Sequence, residues 1–225
     1  MVKRSLRISG VILIIGLIIV SLMISIKESL AADDDIASGT SESCTWVIDS
    51  QGVLTISPTN GTRGTLGTFT NEGYTTIKPP WNAYGDSVTK VVVNSGVFAN
   101  NRSSFLFADL KNCLTMDITN LNTSRVLEAS NMFSSCNSIT ALNLTNFDTS
   151  SMNNMSGMFY ACYNLESLDL SNFNTSKVTN TEKMFDGCRN LTSLNLTNFD
   201  TSKIWNMTGM FSRMYKLSWF RCDRI

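Results

Sequence analysis

The stretch at residues 165–190, LESLDLSNFNTSKVTNTEKMFDGCRN, is written four times along the chain. Residues 113–138 (CLTMDITNLNTSRVLEASNMFSSCNS) and 139–164 (ITALNLTNFDTSSMNNMSGMFYACYN) precede it, and residues 191–216 (LTSLNLTNFDTSKIWNMTGMFSRMYK) follow it. Each copy has 26 residues with no insertion, and the second and fourth agree at 16 of 26 positions. A fixed period of roughly 20–50 residues marks a solenoid, because one unit cannot bury its apolar face alone and stacking supplies the burial.

Within a unit the apolar residues fall at Leu165, Leu168, Leu170 and Phe173, and again at Ile139, Leu142, Leu144, Phe147 and at Leu191, Leu194, Leu196, Phe199. Cys113, Met116, Ile118 and Leu121 follow the pattern more loosely. This is the strand-forming half of a leucine-rich repeat. Leu168 and Leu170 point inward on such a strand, which turns Ser167, Asp169 and Ser171 outward. Stacked coils set equivalent strands side by side about 4.8 Å apart in a parallel sheet.

Past the strand runs an unvarying column, Asn120, Asn146, Asn172 and Asn198, expected to satisfy backbone groups at the bend of each coil. Thr-Ser pairs follow at 123–124, 149–150, 175–176 and 201–202, each preceded by Asp or Asn, and such residues set turns. The unit closes on Met-Phe-x-x-Cys, with Cys136, Cys162 and Cys188 at 26-residue spacing. Asn154 or Ser156 caps a short helix there on this reading, its apolar positions facing the sheet. The equivalent of the cysteine is Leu110 upstream and Met214 downstream, which favours a buried thiol column over disulfides. The fold expected is an α/β, leucine-rich-repeat-like solenoid with a parallel sheet on one side and short helices on the other, preceded by a small β cap.

Upstream, Lys3, Arg4 and Arg7 precede an uncharged apolar run at residues 8–26 and small residues at Ser29, Ala31 and Ala32. Residues 1–32 therefore read as a signal peptide, with an N-terminal anchor as the alternative. Either places the rest of the chain outside the cytoplasm. Residues 33–43 read as a polar spacer. Residues 44–98 read as an N-terminal β cap, opening with a hairpin turned by Gly52 and ending in the β-branched run at 88–93. The solenoid occupies residues 99–225, and its opening half-coil has Phe107 and Leu110 in register with Phe133 and Cys136.

Eighteen basic and eighteen acidic residues cancel, only 16% of residues are charged, and histidine is absent. No electrostatic footprint for nucleic acid is visible. Without histidine there is no serine–histidine triad and no imidazole metal ligand, and Cys-x-x-Cys pairs are also missing, so neither metal nor cofactor is expected. No Gly-x-Ser-x-Gly elbow occurs. Asp117 and Asp169 share a face two coils apart, ~9.6 Å by strand spacing, with no cleft implied between them. The reading is of a protein that is not an enzyme.

The recurring LxxLxLSNFDTSxVxNMxxMFxxC, carried by residues 165–188 and its sister units, resembles the BspA-like bacterial surface proteins with 26-residue leucine-rich-type repeats. Trp46-Val-Ile-Asp with Gly52-Val-Leu-Thr-Ile56 and Pro80-Trp81, and Phe105-Leu106-Phe107, also resemble the segment before those repeats. The resemblance spans about residues 44–220. It implies an exported, surface-displayed protein whose solenoid binds a protein ligand on host or bacterial surfaces, secreted or held at the cell surface. Membrane contact is limited to the N-terminal segment if that is uncleaved. Solenoids bind through their concave face, which nominates Asp117, Thr119, Asn143, Thr145, Ser167, Asp169, Ser171, Asn195 and Thr197. Arrays in these relatives are often longer, and many end in a wall-sorting signal that is not visible here. The alternatives are a truncated or decayed fragment with a structural role, or a hydrolase, the label sometimes given to relatives.

Overall fold

The computed structural model describes residues 34–72 and 75–221. The apolar segment at 8–26 and Cys222 lie outside the described residues, and residues 36–225 form a compact unit of their own. That unit opens with three antiparallel strands, β1 (Ala37–Ser41), β2 (Cys44–Ile48) and β3 (Val53–Pro58). Inward positions Cys44, Trp46 and Ile48 of β2 and Leu54 and Ile56 of β3 are buried, as the period-two pattern demands. Gly52 turns the second hairpin with φ +80°, and a Cβ there would stand 2.3 Å from the Ser87 carbonyl.

The next segment contributes β4 (Gly64–Thr65), β5 (Thr70–Glu72), β6 (Thr75–Ile77) and a 3-10 turn at Pro80–Tyr84 that buries Trp81. Then β7 (Lys90–Val93) pairs parallel to β3, and β8 (Val97–Phe98) parallel to β4. The repeats supply β9 (Thr115–Asp117), β10 (Ser167–Asp169), β11 (Ser193–Asn195) and β12 (Trp219–Arg221). β9 joins β7, so the cap and the first unit share one five-stranded sheet. β10, β11 and β12 form a second, parallel sheet in which Leu168 pairs with Leu194, and Leu194 with Phe220, at the 26-residue step.

Apolar columns run through the stack. Phe107, Phe133, Phe159 and Phe185 stack with ring centroids 5.6–5.7 Å apart, and Phe147 lies 6.2 Å from Phe173. Cys136, Cys162 and Cys188 are buried beside them as free thiols.

Three expectations are corrected. Within the repeat units at 113–216 the side opposite the strands carries no helices, and the short 3-10 helix at Pro80–Tyr84 belongs to the cap. The second half of each unit is a run of turns with two left-handed residues four apart: Asn131 and Ser135, Gly157 and Ala161, Lys183 and Gly187, Gly209 and Arg213. Those turns leave alternate N–H groups free to bond the next coil, which a helix would have closed on itself. Second, Ala37–Ser41, expected within a spacer, is an edge strand, because backbone pairing with β2 orders it although its side chains have little to bury. Third, the unit at 139–164 has no strand where β10 has its counterpart, so the sheet is interrupted at Asn143. Ala141 stands there in place of Thr115, Ser167 and Ser193, and alanine is a poor strand former.

Candidate functional site

Asp117, Asn143, Asp169 and Asn195 recur once per coil on the outward side, and each turns its side-chain oxygen back on its own chain. Asp117 Oδ1 accepts the Thr119 hydroxyl at 2.8 Å, and Asn143 Oδ1 accepts the Thr145 N–H at 3.1 Å. Asp169 Oδ1 accepts the Ser171 N–H at 2.9 Å, and Asn195 Oδ1 the Thr197 N–H at 3.2 Å. A side chain that bonds the backbone two residues on sets a turn. Thr119, Thr145, Ser171 and Thr197 are thus the inner partners of the first row. One link crosses between coils: Asn195 Nδ2 donates to Asp169 at 3.1 Å. The Ser171 N–H, then its hydroxyl, hold the Asp169 carboxyl below its ordinary value.

The first outward position of each strand is arranged differently. Thr115 and Ser167 are exposed and Ser193 is half-buried, while Ala141 lies in the interruption. Ser167 and Ser193 are side by side in one sheet and Thr115 lies in the other, with the unit at 139–164 between them.

The asparagine column bonds backward to the preceding coil. Asn120 Nδ2 donates to the Val93 carbonyl at 3.3 Å, and Asn146 to Thr119 at 3.3 Å. Asn172 reaches Leu144 at 2.8 Å and Thr145 at 3.3 Å, and Asn198 reaches Ser171. The thiols behave alike: Cys136 Sγ–H points to the Phe107 carbonyl at 3.0 Å, Cys162 to Phe133 at 3.1 Å and Cys188 to Phe159 at 3.2 Å. Burial raises the pKa of all three.

Sequence reasoning missed a further column. Thr123, Thr149 and Thr175 are buried, and their hydroxyls bond forward to the carbonyls of Asp148, Asn174 and Asp200 at 2.9, 3.2 and 3.0 Å. The Thr149 and Thr175 oxygens also accept the N–H of Asn174 and Asp200, at 2.8 and 2.7 Å. The serine beside each threonine is the turn residue: its N–H bonds the Asn or Asp two residues before it at 2.9–3.1 Å. The signal available was that Thr never varies at this position while the residue before it alternates between Asn and Asp.

On the turn side, Asn131, Ser156, Gly157, Tyr160, Glu182 and Lys183 line an open recess of about 320 Å³. Glu182 is tied to Lys183 at 3.3 Å and to Asn206 Nδ2 at 3.2 Å. Among the described residues no three acidic, cysteine or histidine side chains converge as a metal site.

Two solved structures are similar. One is a leucine-rich cell surface protein from Faecalibacterium prausnitzii A2-165, at 16% identity and a TM-score of 0.42, covering 85% of this chain and 56% of that one. The other is a leucine-rich repeat protein from Eubacterium ventriosum ATCC 27560, at 15% identity and a TM-score of 0.25, covering 82% of this chain and 84% of that one. The chain thus spans little more than half the length of the first. A comparison with curated proteins gives no match. A family model described as a Mycoplasma protein of unknown function, DUF285, matches residues 101–219, or 119 of the 225, so the chain belongs to the DUF285 family.

Proposed function

We propose that the chain is an exported, non-catalytic surface protein whose coil stack, a leucine-rich-repeat-like solenoid, binds a protein ligand on host or neighbouring cells. The observation that carries this reading is the use made of the polar groups. The asparagines, buried threonines and Asx residues are spent on turns and on coil-to-coil bonds, while Ser167 and Ser193 stand in register on one strand face. A rigid scaffold with small polar residues at a fixed step suits recognition of an extended surface. The basic and apolar segment at residues 1–32 supports export.

The test is capture of residues 34–225 on immobilised matrix proteins and bacterial surface extracts. A specific ligand should bind the parent and be lost in Thr115→Lys or Ser167→Lys with the melting temperature unchanged. Binding that survives both substitutions moves the site off the strand face. The same preparation goes through an esterase and glycosidase screen, where turnover abolished by Asp169→Ala would replace the adhesive reading with a catalytic one.

A further inference from the structure

A residue that recurs at every coil is explained by the stack it builds, whereas one that departs from its column is not. On the turn side several departures fall in one place. Tyr160 stands where the other units carry Ser134, Asp186 and Ser212, and Glu182 where they carry Ser130, Ser156 and Thr208. Lys183 occupies a column otherwise made of Asn131, Gly157 and Gly209. Tyr160, Glu182 and Lys183, with Asn131, Ser156 and Gly157, line the recess of about 320 Å³.

The recess has an uncommitted polar lining. Gly157, at φ +60°, lets the Asn131 amide lie against the main chain, since a Cβ there would stand 2.3 Å from Asn131 Oδ1. Neither that amide nor the Ser156 hydroxyl makes a side-chain hydrogen bond among the described residues, although Ser130, the counterpart of Ser156, is bonded to Ser104 at 2.9 Å. The two charges present offset each other, with Glu182 held 3.3 Å from Lys183 and also accepting from Asn206. Tyr160, the aromatic residue of the lining, is steadied from outside. Arg213 grips the buried Asp186 carboxylate through Nε at 2.7 Å and Nη2 at 2.9 Å. The same Nη2 lies 3.5 Å from the Tyr160 hydroxyl, and the guanidinium carbon 5.8 Å from the ring centroid.

We propose that this recess binds a neutral pyranose, one sugar unit of a glycan, laid against the Tyr160 ring. Its volume lies at the lower end of small-molecule sites, roughly 300–1,000 Å³, which suits a single ring. The C–H bonds on one side of a pyranose carry slight positive charge and meet the negative face of an aromatic ring. Sugar hydroxyls both donate and accept. The Asn131 amide and the Ser156 hydroxyl answer in both senses, Glu182 accepts and Lys183 donates. An anion would have to displace Glu182 from Lys183 and then lie beside the freed carboxylate. An apolar side chain would bury the Asn131 and Ser156 groups without partners. The recess is on the turn side, so this inference stands apart from the strand face of the proposed function.

The test is saturation-transfer NMR on the full chain with the methyl glycosides of glucose, galactose, mannose and N-acetylglucosamine, each at about 10 mM. A single ring with a handful of bonds binds with a Kd near ~1 mM, so at least one glycoside should receive saturation and shift the Asn131 side-chain amide signals. Tyr160→Ser and Glu182→Ser each install the residue that a neighbouring unit carries in the same column, so the stack accommodates both. Each should weaken binding by about tenfold or more with the melting temperature unchanged. Tyr163→Asn makes the matching exchange outside the recess, the counterpart being Asn137, and should leave binding as it is. Absence of saturation transfer to all four glycosides overturns the proposal. Binding that withstands both Tyr160→Ser and Glu182→Ser places the sugar elsewhere and overturns it too. Preference for glucuronate over the neutral glycosides overturns it in favour of an anion site.

Discussion

Thr149 contributes to the stack in a way its exposed neighbours do not, because its single hydroxyl serves both the N–H and the carbonyl of Asn174 in the next coil. Thr149→Val keeps the shape and removes both bonds at a buried site. It should therefore cost ~1–3 kcal/mol in urea unfolding, the penalty for leaving buried backbone groups without partners. Asn172→Ala also breaks bonds between coils, but its side chain reaches water, so its cost should be nearer ~1 kcal/mol. Equal effects in the two variants would remove the threonine column from this account. Asp148 and Asp169 make a prediction about pH. The Ser150 hydroxyl and then its N–H hold the first carboxyl below its usual value, and the Ser171 N–H and then its hydroxyl hold the second. A carboxylate depressed in the folded state contributes stability that is full above the unfolded pKa, near 3.8, and is lost as pH falls through the folded one. Melting temperature should fall on acidification below that value, and the fall should be shallower in the Asp148→Asn, Asp169→Asn double variant. The sequence shows that Thr-Ser recurs, but not that serine sets the turn while threonine spans two coils. Both hydroxyls can do either, and only burial separates them.

At the scale of the element, the turn half of the repeat is where sequence and structure part. Met-Phe-x-x-Cys spaced at i, i+1 and i+4 suits the face of a helix, and the same spacing suits turns that aim those side chains into a stack. The signal against a helix is the column Asn131, Gly157, Lys183, Gly209, since glycine and asparagine are the residues that enter the left-handed region most readily. Lysine is the misfit there, at φ 54° and exposed. Relief of left-handed strain is worth roughly 1–2 kcal/mol, and glycine's greater freedom in the unfolded chain takes back roughly 0.5–1 kcal/mol. Lys183→Gly should therefore stabilise by up to ~1 kcal/mol, read as a higher urea midpoint with an unchanged slope. A helix at this position would give the opposite sign. The strand half was legible because Leu-x-x-Leu-x-Leu fixes which side chains turn inward. Ala37–Ser41 was not, since an edge strand held by main-chain bonds leaves little trace in side-chain pattern.

Over the whole molecule the repeat makes each coil depend on its neighbours, so stability is a chain of interface terms and unfolding starts at the weaker end. Among the described residues that end is the C-terminal one: the cap closes the first coil with Trp81 and Asn82, whereas in the coil at 191–216 Met207 is 41% exposed where its counterpart Thr181 is buried. The cysteine column reports on this directly. All five described cysteines are buried thiols, with Cys44 and Cys113 pushed up to about 11 by burial and the other three also raised. None should react with iodoacetamide near pH 8 in the native chain, because the thiolate is the reactive form. As urea is raised, Cys188 should be alkylated first, then Cys162, then Cys136, each step marking the loss of one more coil, with peptide mass spectrometry giving the order. Simultaneous labelling of the three would mean that the coils unfold as one cooperative block. Labelling that begins at Cys136 would place the weak boundary where the sheet is interrupted at the second unit rather than in the coil at 191–216.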